Sequence, residues 1–128
     1  GGDIMKYIDD AAGVVAMKHA RTTVVTASID RLDFHRPVHI GNLLILKASL
    51  NATGRTSMEI GVRVEAEDLM TGIVTHIASA YLTFVALDED NRPTPVPPYN
   101  PQTPEAIRRR KQAQERKACY YKSRNEND

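Results

Sequence analysis

Asp9 is the residue whose neighbours along the chain most invite chemistry. From Asp3 to about Ala20, apolar residues recur at helical spacing (Ile4, Ile8, Ala11 or Ala12, Val15), which predicts a helix. The stretch Ala11–Met17 is apolar nearly all round, as expected of a helix wrapped by other structure. At about 100° per residue, Gly2, Met5, Asp9, Gly13, Ala16 and Ala20 fall on one side. All but Met5 and Asp9 are very small, so a ligand or another backbone can approach that side closely. A carboxylate enclosed there must find donors or be neutralised. It either caps a loop amide or serves as an acid, base or nucleophile toward something bound, and the residues alone leave both open. Asp10 lies about 100° further round, with Lys6 at the i,i+4 spacing of an ordinary ion pair.

One further group of residues could assist such an acid. Gly1-Gly2 leaves the first helix amides uncovered by side chains, and a helix N-terminus stabilises negative charge, although paired glycines are also an ordinary loop. Gly54-Arg55-Thr56-Ser57 by itself reads as a plain hairpin turn with a solvated Arg. His19, His35, His39 and His76 match no metal-binding spacing, so no metal is expected. Cys119 lies in a polar stretch with no base near it in sequence. As the single cysteine it cannot form an intramolecular disulfide, which suits a reducing, cytoplasmic compartment.

The elements that must position these residues follow from apolar periodicity. In Thr22–Phe34, β-branched residues dominate, and Val25, Ala27 and Ile29 share a face. Leu43–Ala52 sets Leu44, Leu46, Ala48 and Leu50 on one side. Met58–Ala66 alternates Met58, Ile60, Val62, Val64 and Ala66 against Glu59, Arg63 and Glu65. Met70-Thr71-Gly72 supplies a turn before a last strand, about Ile73–Leu87, whose inward face is Ala78, Ala80, Leu82, Phe84 and Ala86. Short turns between strands give an antiparallel sheet, and its single apolar face needs the N-terminal helix as a lid. Six of the seven prolines lie within Pro93–Pro104, which predicts an extended strap. Beyond it a polar, helix-forming stretch runs to about Tyr121, read as a solvated tail helix with Tyr120 and Tyr121 packing onto a subunit.

Composition narrows the class. With 128 residues, one core is expected, and no apolar run approaches the roughly 18 residues of a membrane span. The chain start carries no basic segment followed by an apolar core, so no secretory leader is expected. The formal net charge is +1, yet Pro104–Arg124 holds eight Lys/Arg against two Glu, so the basic surplus sits in the tail.

A series of separate motifs carries a resemblance. Gly1-Gly2-Asp3-Ile4-Met5-Lys6-Tyr7-Ile8-Asp9-Asp10-Ala11-Ala12-Gly13, then Val24–Ser28, Asp33-Phe34-His35-Arg36-Pro37-Val38, Gly54–Met58 and Thr83–Asp88 occur in order. Together they resemble the hotdog-fold acyl-CoA thioesterases of the bacterial cytoplasmic and brain-type acyl-CoA hydrolase group. The likeness runs from Gly1 to about Pro98, which makes 1–98 the hydrolase domain and 99–128 the end of the Pro-rich linker with the basic helical tail.

The resemblance implies an α+β hotdog fold, a long central helix wrapped by a curved antiparallel sheet, with a polar C-terminal helix added. It implies hydrolysis of fatty acyl-CoA to fatty acid and coenzyme A, with coenzyme A entering only as part of the substrate and product. It also implies a homodimer at least, assembled as a trimer of dimers, with sites between subunits. Asp9 falls on the family's helix acid, Gly2 on the oxyanion-binding helix start, and Gly54, Arg55, Thr56 and Ser57 on the segment that contacts coenzyme A. Gly13 lies along the substrate side of the helix.

Relatives have a strand before the glycine pair that supplies an Asn or His near the thioester. The numbered chain begins at the glycines, so that strand and that partner are expected to be missing from it. Asn42 stands where relatives often carry Asp after Gly41, a departure expected to be structural only. A hotdog dehydratase ranks behind, because that chemistry usually needs a histidine and His19 lies three turns beyond Asp9. The alternatives are a non-catalytic acyl-CoA binder and a nucleic-acid binder using Arg108-Arg109-Arg110-Lys111. The basic cluster is short and lacks interleaved aromatics, so neither nucleic acid nor membrane is expected as a partner.

Overall fold

The computed structural model describes residues 2–39 and 41–127, with side chains for 3–39 and 41–119. Gly1 and the side chains of Tyr120 and Tyr121, which entered the expectations above, lie outside the described residues. The order is α1 (Gly2–Ala20), β1 (Thr23–Phe34), β2 (Leu43–Thr53), β3 (Ser57–Glu67), β4 (Val74–Leu87) and α2 (Pro104–Asn127). The strands form one antiparallel sheet in the order β1-β4-β3-β2.

Helix α1 has Asp3 in its first turn and Lys18 and His19 in its last, matching the macrodipole at both ends. It stops at Arg21, whose φ of 59° breaks the helix while its amide still donates to the Met17 carbonyl at 2.8 Å. Ile8, Ala12 and Ala16, spaced at i,i+4, are fully buried against the sheet. The sheet contributes Met58, Ile60, Val62, Val64 and Ala66 from β3 and Ala78, Ala80, Leu82, Phe84 and Ala86 from β4, all within 2% of full burial. The helix is not wrapped within one protomer. Tyr7, Val14 and Met17, on its other side, are exposed, because one four-stranded sheet covers only the face it touches.

Regular alternation fails in β1. Register shifts fall between Thr26 and Ser28 and between Ile29 and Arg31. Each extra residue flips the parity of the side chains that follow. Val25 therefore pairs with Val85 on the outer face, while Ile29 pairs with buried Leu82 on the inner one, so the two do not share a face. A third shift, between Val64 and Glu65, leaves Ile77 opposite no partner. Ile77 is nonetheless buried, and its carbonyl accepts the amides of His35 at 2.8 Å and Arg36 at 3.3 Å.

The prolines do form a strap, and it is stitched in place. Thr94 donates its amide to Ala86 at 2.9 Å, Val96 donates to Arg55 at 2.9 Å, and the Val96 side chain is buried in the core. His19 at the end of α1 bonds the Pro97 carbonyl at 2.7 Å. The strap thus ties the end of the Asp9 helix to the turn that holds Arg55.

The tail helix is docked rather than solvated. Pro104 opens α2 at a position where a missing amide costs nothing, and the Thr103 hydroxyl accepts the Ala106 amide at 3.1 Å. Ala106 and Ala113, seven residues apart, are buried, a stripe too narrow to stand out in a polar sequence. Arg116 completes the contact. It bonds Glu59 at 2.5 Å and lies over the Tyr81 ring, 3.7 Å from its centroid, so charge and stacking supply what a broad apolar face would otherwise provide.

Under Arg116 the outer face of the sheet carries a polar network. Asn51, 2% exposed, donates to Glu59 at 3.0 Å and accepts the Ser49 hydroxyl at 3.2 Å. Gly61 is required there, since a Cβ at that position would stand 2.8 Å from Asn51 Nδ2. Gly61→Ala is expected to push Asn51 off Glu59 and loosen α2, costing about 1–3 kcal/mol, as overpacking does. Urea denaturation followed by circular dichroism measures it, and an unchanged midpoint would show that the network yields freely. Further along the same face, hydrogen bonds from Arg63 and then Lys47 hold the Glu65 carboxyl below the usual carboxylate range.

Candidate active site

Asp9 projects from the middle of α1 toward the edge strand and is half-buried. Its Oδ1 accepts the hydroxyl of Thr26 at 2.7 Å, and Oδ2 carries no hydrogen bond among the described residues. One oxygen is therefore oriented while the other keeps its lone pairs for a proton or a carbonyl carbon. Asp10 is exposed, and the Lys6–Asp10 ion pair suggested by spacing does not form. Two exposed charges gain too little from pairing in water to hold the flexible Lys6 side chain in one geometry.

Asp9 opens onto a groove between α1 and β1 lined by Gly13, Val14, Met17, Val24, Thr26 and Phe84. Apart from Asp9 and Thr26 these linings are apolar or lack a side chain, and Asp10, Lys18 and Arg21 stand at the same groove. Phe84 forms the floor: it is 2% exposed and pairs with Thr26 on one side and Met58 on the other. A Cβ on Gly13 would rest 3.7 Å from the Phe84 ring, an ordinary contact, so Gly13 keeps the groove wide rather than relieving a clash. Thr26 and Phe84 were not singled out from sequence as site residues. The one available signal was parity: Thr26 falls on the opposite side of the strand from Val25, two residues from Val24.

The other predicted residues do not join Asp9 within one protomer. Gly2 starts α1 seven residues earlier, about 10 Å along the axis at 1.5 Å per residue. The turn at 54–57 is closed by the Gly54 amide donating to the Ser57 carbonyl at 2.8 Å, and the Thr56 carbonyl accepts the Ala86 amide at 3.0 Å. The turn leads into β3, which is two strands from β1, a separation of about 10 Å, and none of Gly54, Arg55, Thr56 or Ser57 lines the Asp9 groove. Arg55 is exposed, and Lys117 of α2 reaches the turn, its Nζ 3.3 Å from where a Gly54 Cβ would lie.

The histidines stay apart from this site. His35 and His76 stack with centroids 4.6 Å apart, His19 meets the edge of Tyr99, and among the described residues no three potential metal ligands converge.

The groove lies beside an unsatisfied surface. Val14, Met17 and Tyr7 of α1 and Val25 and Ile29 of β1 are 43–66% exposed, and β1 is an edge strand with its outer ladder unpaired. A bare edge flanked by large apolar side chains is a surface built to be covered.

Comparison with known proteins agrees with this architecture. The model of the thioesterase superfamily matches residues 1–73. The chain is 41% identical over 117 residues to the protein VdlD of Helicobacter pylori, covering 91% of this chain and 67% of the relative. It is similar to the crystal structure of an apo-hexameric acyl-CoA thioesterase, with a TM-score of 0.92 and 46% identity over 96% of this chain and 79% of the other. It is also similar to an acyl-CoA hydrolase from Staphylococcus aureus in complex with butyryl coenzyme A, coenzyme A and coenzyme A disulfide. There the TM-score is 0.89 and the identity 36%, over 99% and 77% of the two chains. With a helix laid on an antiparallel sheet in the hotdog arrangement, and these motifs along its first strands, the chain belongs to the thioesterase superfamily.

Proposed function

We propose that the protein is an acyl-CoA thioesterase, hydrolysing fatty acyl-CoA to free fatty acid and coenzyme A, with Asp9 as its catalytic carboxylate. The observation that carries this is the Asp9 side chain, held through one oxygen by Thr26 and facing an apolar groove through the other. Asp9 takes a proton from water as the water oxygen adds to the thioester carbon, or adds to that carbon itself to give, once the thiolate leaves, a mixed anhydride that water hydrolyses to the fatty acid and the free Asp9 carboxylate. The tetrahedral oxyanion is received by helix N-terminal amides, and collapse expels the coenzyme A thiolate. A thiolate is an adequate leaving group, so the reaction is assigned to protein groups and water without a metal.

Gly2 and Asp9 of one chain are too far apart to share a thioester, so the N-terminus of a second copy supplies the oxyanion amides. The copies pair along β1, which covers Val14, Met17 and Ile29 and completes the wrapping of α1. The hexameric likeness supports a trimer of dimers. The turn at 54–57 binds coenzyme A, Arg55 through a phosphate and Thr56 or Ser57 through the pantetheine arm.

Residues 1–98 form the hydrolase unit, with 99–128 added to it as the end of the Pro-rich strap and the basic tail. Among the described residues no helix is long and apolar enough to cross a membrane, and a cytoplasmic location suits the free Cys119. Thiol release from acyl-CoA of graded chain length tests the reading, with sedimentation velocity run on the same preparation. Turnover by a dimer or larger assembly is expected; saturable acyl-CoA binding without thiol release would indicate a binder rather than an enzyme.

A further inference from the structure

A second cleft lies on the opposite face of the sheet from Asp9, roofed by α2. It has a volume of about 560 Å3, within the range of small-molecule sites. Five cations line it: Lys47 from β2, Arg63 from β3, and Arg108, Arg109 and Arg116 from α2. Three carboxylates answer them. Glu59 takes Arg116, Glu65 takes Lys47 and Arg63, and Glu105 takes Arg109. The cluster therefore keeps an excess of two positive charges, and Arg108 has no carboxylate partner among the described residues. The Nε of Arg109 is buried without an acceptor among the described residues. The floor supplies the Ser49 and Ser79 hydroxyls and is kept low at Gly61, which has no side chain.

We infer that this cleft binds a diphosphate group, its oxygens accepting from the guanidinium groups of Arg63, Arg108 and Arg109. Clustered guanidinium donors at the edge of a half-open cavity suit phosphate oxygens better than a lone carboxylate, which Glu105 already represents. The two sources of that chemistry are coenzyme A itself and a free nucleoside diphosphate. Because α2 forms the roof and also reaches the Gly54 turn through Lys117, an occupant would bear on the turn assigned above to coenzyme A.

The test is titration calorimetry of the full chain with inorganic pyrophosphate at low ionic strength. It is repeated with Arg63→Gln on the sheet, Arg109→Gln on the helix and Arg31→Gln on remote β1, with melting curves confirming that each variant folds. Saturable binding is expected, weakened tenfold or more by either of the first two changes and unaltered by the third. Displacement by ADP but not by coenzyme A identifies a free nucleotide as occupant, and displacement by coenzyme A identifies the substrate or product; both support the site. Absence of saturable binding, or equal binding by all variants, overturns it. Neither result depends on hydrolysis at Asp9, so failure here leaves the thioesterase reading standing.

Discussion

Asp9→Asn is expected to lower the turnover number for acyl-CoA hydrolysis by about 100-fold or more, in line with losses on removing a positioned acid–base group. The amide is isosteric and can still accept the Thr26 hydroxyl, whose bond to Oδ1 is 2.7 Å, so melting temperature and oligomeric state should hardly move. Steady-state thiol release compared with a melting curve separates the two effects. Thr26→Ala should cost less, because it leaves the carboxylate present but free to rotate. Single turnover in 18O-labelled water tests for direct attack by the acid. Label in the Asp9 carboxylate requires an anhydride opened by water at the Asp9 carbon, which the general-base route cannot give. An Asp9→Asn enzyme that turns over at the parent rate would remove Asp9 from the mechanism.

Phe84→Ala is expected to destabilise the fold by about 3–5 kcal/mol, the usual cost of deleting a buried aromatic ring. Phe84 is 2% exposed, and its ring supports α1 at Gly13, where a Cβ would touch it at 3.7 Å. The cavity would open beside Asp9, because Phe84 also floors the groove. Activity should therefore fall even where the variant is folded. Leu82→Ala supplies the control: Leu82 is fully buried two residues away on the same strand but does not line the groove. It should lose about 2–5 kcal/mol in urea denaturation while keeping near-parent turnover below its unfolding transition. Equal loss of turnover in both variants would mean that stability, not the groove floor, limits catalysis.

The helix, the four strands and the inward faces of β3 and β4 were legible because each is a periodic element with one dry face. Met58 through Ala66 and Ala78 through Ala86 alternate without interruption over most of their length, and period alone identifies them. The strand β1 resisted the same treatment. Two inserted residues reverse its parity, and nothing in Thr-Ala-Ser-Ile-Asp announces a bulge. The tail misled for a related reason: its docking rests on two alanines and one guanidinium over Tyr81, which average hydropathy does not register.

By itself, then, the amino-acid sequence determined the order of elements, the inward faces of β3 and β4 and the family, and it singled out Asp9 as the candidate acid, all of which depend on residues near one another in the chain or on motifs in series. The tertiary structure alone decided that Thr26 holds Asp9 across 17 residues, that Arg116 reaches Glu59 across 57, and that Val14 and Met17 remain uncovered in one protomer. Such contacts hang on strand register and on which side of a helix the sheet happens to cover. Local periodicity is blind to both, because it records whether a position is dry and not which neighbour makes it so.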